Sequence, residues 1–352
     1  MKYKTKNKYF MKKYFLTAVA ACVALAACTK NEIKPVEVDQ EITYQTIDTK
    51  ASSSFLTSNK FYSWAYLLAY DKVWRADYND ASPYITNALI KYDSATTSWK
   101  HESTTYYWPK KAGLTFFAWS DATANPTVAP ATVNCTANNG ITFTGYNTAS
   151  TKNKDLLVAK IAANTVSNTE TYEGWAAGVP TVFSHILSAL VVKAKTDVTY
   201  SDVTFKVKSI DFTNVSSTGN YTQGHDDSAK PTASSWTNLS SPTSFDVYSP
   251  ASVSDAVTYE GIELVPVGED VRIFMPQTFS DTTPKASITY TVTYGTSGVT
   301  DEVTVEKDLK SIFTSNWQPS YKYTLTITLG LNQILWAPDV EEWLPGNGSF
   351  TI

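Results

Sequence analysis

The chain has 352 residues, with 29 lysines and arginines against 33 aspartates and glutamates. That length suggests about two domains, and the acidic balance argues against nucleic acid and anionic lipid as partners. Three cysteines are too few for a disulfide framework, so a hydrophobic core must hold the fold.

The first 27 residues carry Lys2, Lys4, Lys6, Lys8, Lys12 and Lys13 and no acid. An apolar run from Tyr14 to Ala27 follows, broken only by Thr17 and Cys22. A basic start, a short apolar run and small residues before a cut site read as a signal peptide over residues 1–27. The run is shorter than the roughly 20 residues that span a bilayer. A start at Met11 would leave a complete signal. Leu25-Ala26-Ala27-Cys28 matches the bacterial lipobox, in which lipid is attached through the cysteine sulfur before cleavage. Cys28 is therefore the lipidation candidate, anchoring the chain to the outer membrane. Each buried CH₂ of an acyl chain contributes about 0.8 kcal/mol to such anchoring. Cleavage there removes six lysines and leaves residues 28–352 with a net charge of about −10.

Residues 28–43 read as a tether or pro-segment leading into one strand. Beyond it, short β-branched and aromatic runs separated by turn residues predict an all-β fold of two tandem β-sandwiches, 44–197 and 198–352. "PTVFSHILSALVVKAK" (180–195) is apolar on both parities, as in a strand covered on both faces or a buried helix. In "VTFKVKSIDF", Val203, Phe205 and Val207 share one parity and Ile210 and Phe212 the other, so a bulge is expected near Lys208 and Ser209. "SITYTVTY" places Ile288, Tyr290, Val292 and Tyr294 on one face. "YKYTLTITL" does the same with Tyr321, Tyr323, Leu325, Ile327 and Leu329. Asp308 to Phe313 could form one helical turn. The Ser/Thr/Asn-rich stretches 147–170 and 213–258 read as loops.

Catalytic patterns are sparse, and no catalytic residue, metal site or cofactor is assigned. His185 sits on the apolar parity of Phe183 and Leu187 and reads as a satisfied core histidine. His225-Asp226-Asp227 lies beside Gly224 and reads as a solvated turn. Asp77-Tyr78-Asn79-Asp80 opens like a calcium loop, but Ser82 and Ala88 stand where Gly and Glu are needed. Cys135 reads as a buried small apolar residue. Glu341 and Glu342 are neighbours and would point to opposite faces of a strand. A glycoside hydrolase would need two carboxylates about 5 to 10 Å apart, and no such pair is legible. Ten tryptophans and 22 tyrosines support a second reading, a surface glycan-binding lipoprotein. Its platform would draw on Trp74, Trp99, Trp236 and Tyr106-Tyr107-Trp108.

Six stretches, in order, resemble the fimbrillin family, the lipoprotein-derived pilins also called type V. They are "TTYYWPKKAGLTFFAWS" (104–120), "KDLLVAK" (154–160) with "VPTVFSHILSALVVKA" (179–194), "VKSIDFTNVSSTGNYT" (207–222), "FMPQTF" (274–279), "WQPSYKYTLTITL" (317–329) and "ILWAPDVEEW" (334–343). The resemblance implies transthyretin-like β-sandwiches and a structural fimbrial (pilus) subunit on the cell surface, not an enzyme. It also implies export as a lipoprotein and removal of an N-terminal segment by a trypsin-like protease. The matching cut lies between Lys50 and Ala51, where the family more often shows Arg; Lys60 is the next candidate.

A sandwich lacking one strand leaves unpaired backbone edges that template association, and an added strand fills the gap while its alternate side chains enter pockets. "EITYQTI" (41–47) is expected to fill that groove before cleavage, with Ile42, Tyr44 and Thr46 on one face. "VEEWLPGNGSFTI" (340–352) of another subunit is the replacement candidate, with Val340, Trp343, Phe350 and Ile352 as contact residues. Pro345, Gly346 and Gly348 interrupt it, which fits a tip or accessory subunit better than a stalk. Alternatively the segment from Trp336 to Trp343 is the exchanged strand. The partners implied are other fimbrial subunits in a head-to-tail polymer, the processing protease, and a host glycan or protein receptor.

Overall fold

β-Branched and aromatic residues suit a pleated, half-buried surface, and they form strands along nearly the whole of the computed structural model. It describes residues 39–46, 55–151, 154–164, 174–264, 271–295 and 297–343. Residues 1–40 form one unit and residues 41–352 another, and every strand named below belongs to the second. Its strands begin with β1 (Tyr44–Thr46), β2 (Phe61–Ala69), β3 (Ser82–Asp93), β4 (Ser98–His101), β5 (Ala112–Ser120), β6 (Thr132–Thr136) and β7 (Gly140–Asn147). They continue with β8 (Leu157–Ala159), β9 (Ala162–Asn164), β10 (Val179–Thr181), β11 (Phe183–His185), β12 (Ser188–Thr196), β13 (Val203–Thr222) and β14 (Trp236–Tyr248). The last are β15 (Ile262–Leu264), β16 (Arg272–Phe274), β17 (Lys285–Tyr294), β18 (Val299–Asp308), β19 (Tyr321–Leu329) and β20 (Ile334–Glu342). Among the described residues, three single-turn α-helices interrupt them: α1 (Trp74–Asp77), α2 (Thr148–Thr151) and α3 (Leu309–Ile312), the last where a helical turn was expected.

The described strands form three sheets. The first runs β10-β1-β4-β3-β2-β5-β8-β11, with β9 also on β5. Its two ends, β10 and β11, are separated in sequence only by Val182. One extended stretch therefore holds β1 with its first half and β8 with its second. The second sheet runs β15-β12-β19-β20, with β16 also on β12, and the third runs β18-β17-β13-β7-β6, with β14 on β13. The inward faces of β12 and β19 meet those of β13 and β17 across one core, which includes Val192, Phe205, Phe212, Ile288, Leu325 and Trp317. This is a β-sandwich.

Strand β5 shows why two-sided apolar runs occur here. All nine of its residues are buried. Leu114, Phe116 and Ala118 enter one core with Ile42 and Tyr44, while Phe117 and Trp119 enter another with Phe143, Tyr221 and Trp343. Within the 180–195 segment, residues 185–192 are likewise buried on both faces, and the segment resolves into β10, β11 and β12 rather than a helix, with a break at Ile186 and Leu187.

Alternation in β17 and β19 is as read, with inward residues buried. Tyr294 and Tyr321, at strand ends, are exposed. The register of β13 against β17 slips between Val207 and Ser209, at the expected bulge. The loop reading of 213–258 is corrected: β13 continues to Thr222 and pairs with β14 through three register shifts. Its inward positions there include Ser217 and Gly219, small residues that hide the period of two. The 147–170 stretch likewise contains α2, β8 and β9. Strand β12 precedes the expected boundary near residue 197, yet its partners among the described residues are β15, β16 and β19.

Candidate functional site

The segment 41–46 is short and alternating, and its apolar residues decide its place. Ile42 and Tyr44 are fully buried while Gln45 is exposed. Strand β1 lies between β10, to which it is parallel with Tyr44 opposite Val179, and β4, to which it is antiparallel with Tyr44 opposite Trp99. The Ile42 N–H donates to the Tyr106 carbonyl at 2.8 Å, and the Val179 N–H donates to the Thr43 carbonyl at 2.7 Å. Lys100 Nζ lies 3.4 Å from Glu41 Oε2 at the rim. Without β1, the backbone edges of β4 and β10 would both lack a partner.

Gly178 explains how β1 comes so close. Its φ is +99°, and a Cβ placed there would stand 2.8 Å from the Tyr44 carbonyl carbon. Only glycine satisfies both conditions.

The Tyr44 ring meets Phe61 and Phe116 edge-on, with centroids 5.5 and 5.8 Å away. At its tip the seat is polar. The Tyr44 hydroxyl donates to Ser63 Oγ at 3.1 Å and lies 3.2 Å from His101 Nε2. Because the hydroxyl hydrogen goes to Ser63, the His101 Nε2–H is the donor to the phenol oxygen. Burial lowers the His101 pKa to about 4, so the ring is neutral at pH 7. Burial likewise raises the Tyr44 phenol.

The structure brings Ile42 and Tyr44 into this one seat. Trp336, Val340 and Trp343 lie elsewhere, on or just beyond edge strand β20, which pairs antiparallel with β19 over nine residues. Trp336 is half-buried against the sandwich core, and Val340 is exposed. Trp343 is buried, stacks on the His185 ring at 3.6 Å, and donates its backbone N–H to the Ser320 carbonyl at 2.7 Å. His185 is itself buried in the core, with Nδ1 2.6 Å from Asp155 Oδ2. Cys28, Lys50, Ala51, Phe350 and Ile352 lie outside the described residues.

The glycan-platform reading of the tryptophans is corrected. Trp74, Trp99, Trp108 and Trp236 are all at most 4% exposed, and only Tyr107 of the set is open, at 43%. Trp74 and Trp236 are held inside by indole N–H bonds to the His225 and Ile186 carbonyls. Trp99 instead lines the β1 seat. In the 225–227 turn, Asp227 pairs with Arg75 and His225 stacks on Tyr78 at 3.7 Å. Cys135 is buried.

Ser63, His101 and Gly178 build the seat around β1, and reading the sequence did not single them out. They lie 19, 57 and 134 positions from Tyr44, and no local pattern links them to it.

Comparison with known families settles the kinship. The fimbrillin-like family model matches residues 70–343, well over half of the chain. The chain belongs to the fimbrillin-like family. Among solved structures, a fimbrial protein from Bacteroides vulgatus is similar at TM-score 0.66 and 18% identity, covering 87% of this chain and 100% of its own. At that identity the likeness shows the shared fold. A candidate cell adhesion protein from Bacteroides uniformis matches at TM-score 0.47 and 18% identity, over 86% of this chain and 99% of its own. No curated protein matches this fimbrillin-like chain.

Proposed function

We propose that this protein is a structural fimbrial subunit without catalysis, assembled when a partner strand replaces β1. The observation that carries the reading is that β1 is an interior strand of its sheet, although it precedes the Lys50–Ala51 cut candidate. Export through lipidated Cys28 brings the chain to the outer membrane, and a trypsin-like protease acting at Lys50 severs β1 from the residues it packs against. The vacated edges of β4 and β10 then accept a strand from another subunit. Such a contact is head-to-tail and builds an open fibre at the cell surface. Division into sandwiches 44–197 and 198–352 belongs to the same proposal.

The candidate donor segments fit unequally. Residues 334–342 are fully paired with β19 in this chain, so donating them requires that ladder to open. The segment beyond Trp343, with Phe350 and Ile352, is the other candidate donor. A tip or accessory position, facing a host receptor, suits a subunit that accepts a strand more readily than it gives one. Family membership supports the fimbrial role.

The test is to cut the purified full chain after Lys50 and follow its assembly. Ladders that survive mild SDS, absent before the cut, are the expected result. A cut protein that stays monomeric, alone and with other fimbrial subunits, removes strand replacement from the account.

A further inference from the structure

The β1 seat is more selective than an apolar groove. It has two inward pockets. The first, under Ile42, is apolar. The second, under Tyr44, has aromatic walls and a floor made of Ser63 Oγ and His101 Nε2. The two floor groups ask for different things. The Ser63 hydroxyl faces the Phe117 carbonyl at 3.3 Å, so its hydrogen has an acceptor and its oxygen is left to accept. The His101 N–H needs an acceptor. A phenol supplies both, donating to serine and accepting from histidine. Phenylalanine leaves a buried N–H without a partner. An indole N–H can donate only, so it cannot answer the histidine.

We infer that this seat selects an incoming strand with a tyrosine at its deep position, two residues after an aliphatic side chain, and that a different polypeptide supplies it. This inference rests on strand replacement as proposed above and names its partner. Residues 330–352 contain no tyrosine. Ile334-x-Trp336 has the right spacing but ends in an indole. Phe350-x-Ile352 has the reverse order and no hydroxyl. Trp343 is already stacked on His185. A second copy of this chain therefore offers no donor in this segment that completes the floor, and the seat is keyed to a hetero-partner.

The test uses the full chain cut after Lys50 and three fluorescent peptides. These are residues 39–47, the same peptide with Tyr44→Phe, and residues 334–352. An unsatisfied buried donor weakens binding by roughly ten-fold. The Tyr44→Phe peptide is expected to bind about ten-fold more weakly than the native peptide, and 334–352 more weakly again. Against cut protein carrying His101→Ala, the tyrosine advantage should shrink. If the tyrosine and phenylalanine peptides bind the unaltered protein equally, or if 334–352 binds as tightly as 39–47, the tyrosine key is wrong while strand replacement stands. If 39–47 itself fails to bind the cut protein, strand replacement falls and takes this inference with it.

Discussion

Gly178→Ala isolates the fit of β1 from the stability of everything else. The alanine would sit at φ +99° with its Cβ 2.8 Å from the Tyr44 carbonyl carbon. Holding an L-residue in such a conformation costs on the order of 1–3 kcal/mol, and relieving the close contact means moving β1 outward. Alanine's smaller unfolded-state entropy recovers less than about 1 kcal/mol of this. The cost falls on the β1–β10 pairing, so local opening there should become more populated, by up to about 150-fold at about 1.4 kcal/mol per ten-fold. Hydrogen exchange on the uncut chain measures this directly. Protection should drop at the Thr43–Thr46 amides and at those of Val179 and Thr181, and stay unchanged along β17 and β19. Trypsin should also release the leading segment faster. If protection falls uniformly, or not at all at β1, then Gly178 does not set the approach of that strand.

His101 gives a pH test. Its folded-state pKa of about 4 lies below the usual value of about 6.5, so the unfolded chain binds the proton first. Stability is therefore full above about pH 6.5 and declines as pH falls toward 4, by about 3 kcal/mol in total. Urea midpoints measured across that window should show the decline, and His101→Gln should flatten it; parallel curves for the two proteins would refute the assignment. Trp343→Ala should cost about 3–5 kcal/mol, because the ring is buried and stacked on His185. Equilibrium unfolding checks this, and a loss below about 1 kcal/mol would show that the stack does not hold the end of β20.

Much of the sandwich was legible because its strands are regular. Alternation in 287–294 and 321–329 needs only the two-residue period, and the parity change near Lys208 marks the bulge from within one segment. The second half of β13 was hidden because Ser217 and Gly219, two of its inward residues, are small and interrupt the apolar alternation. Tryptophans resisted reading for a different reason: composition says that a large ring is present but not which way it faces, and Trp74 and Trp236 face inward. The β1 seat was half legible. Ile42 and Tyr44 declare themselves as a strand face, whereas Ser63, His101 and Gly178 arrive from three other parts of the chain through sheet pairing alone.

Among the described residues, two long free borders are β18 and β20. Each carries its own deterrent to fouling: Asp301, Glu302, Glu306 and Asp308 along one, Pro338, Asp339, Glu341 and Glu342 along the other. Like charges repel a second copy laid alongside, and proline denies it a hydrogen bond. Indiscriminate stacking through these margins is suppressed while the protein is crowded among its own kind.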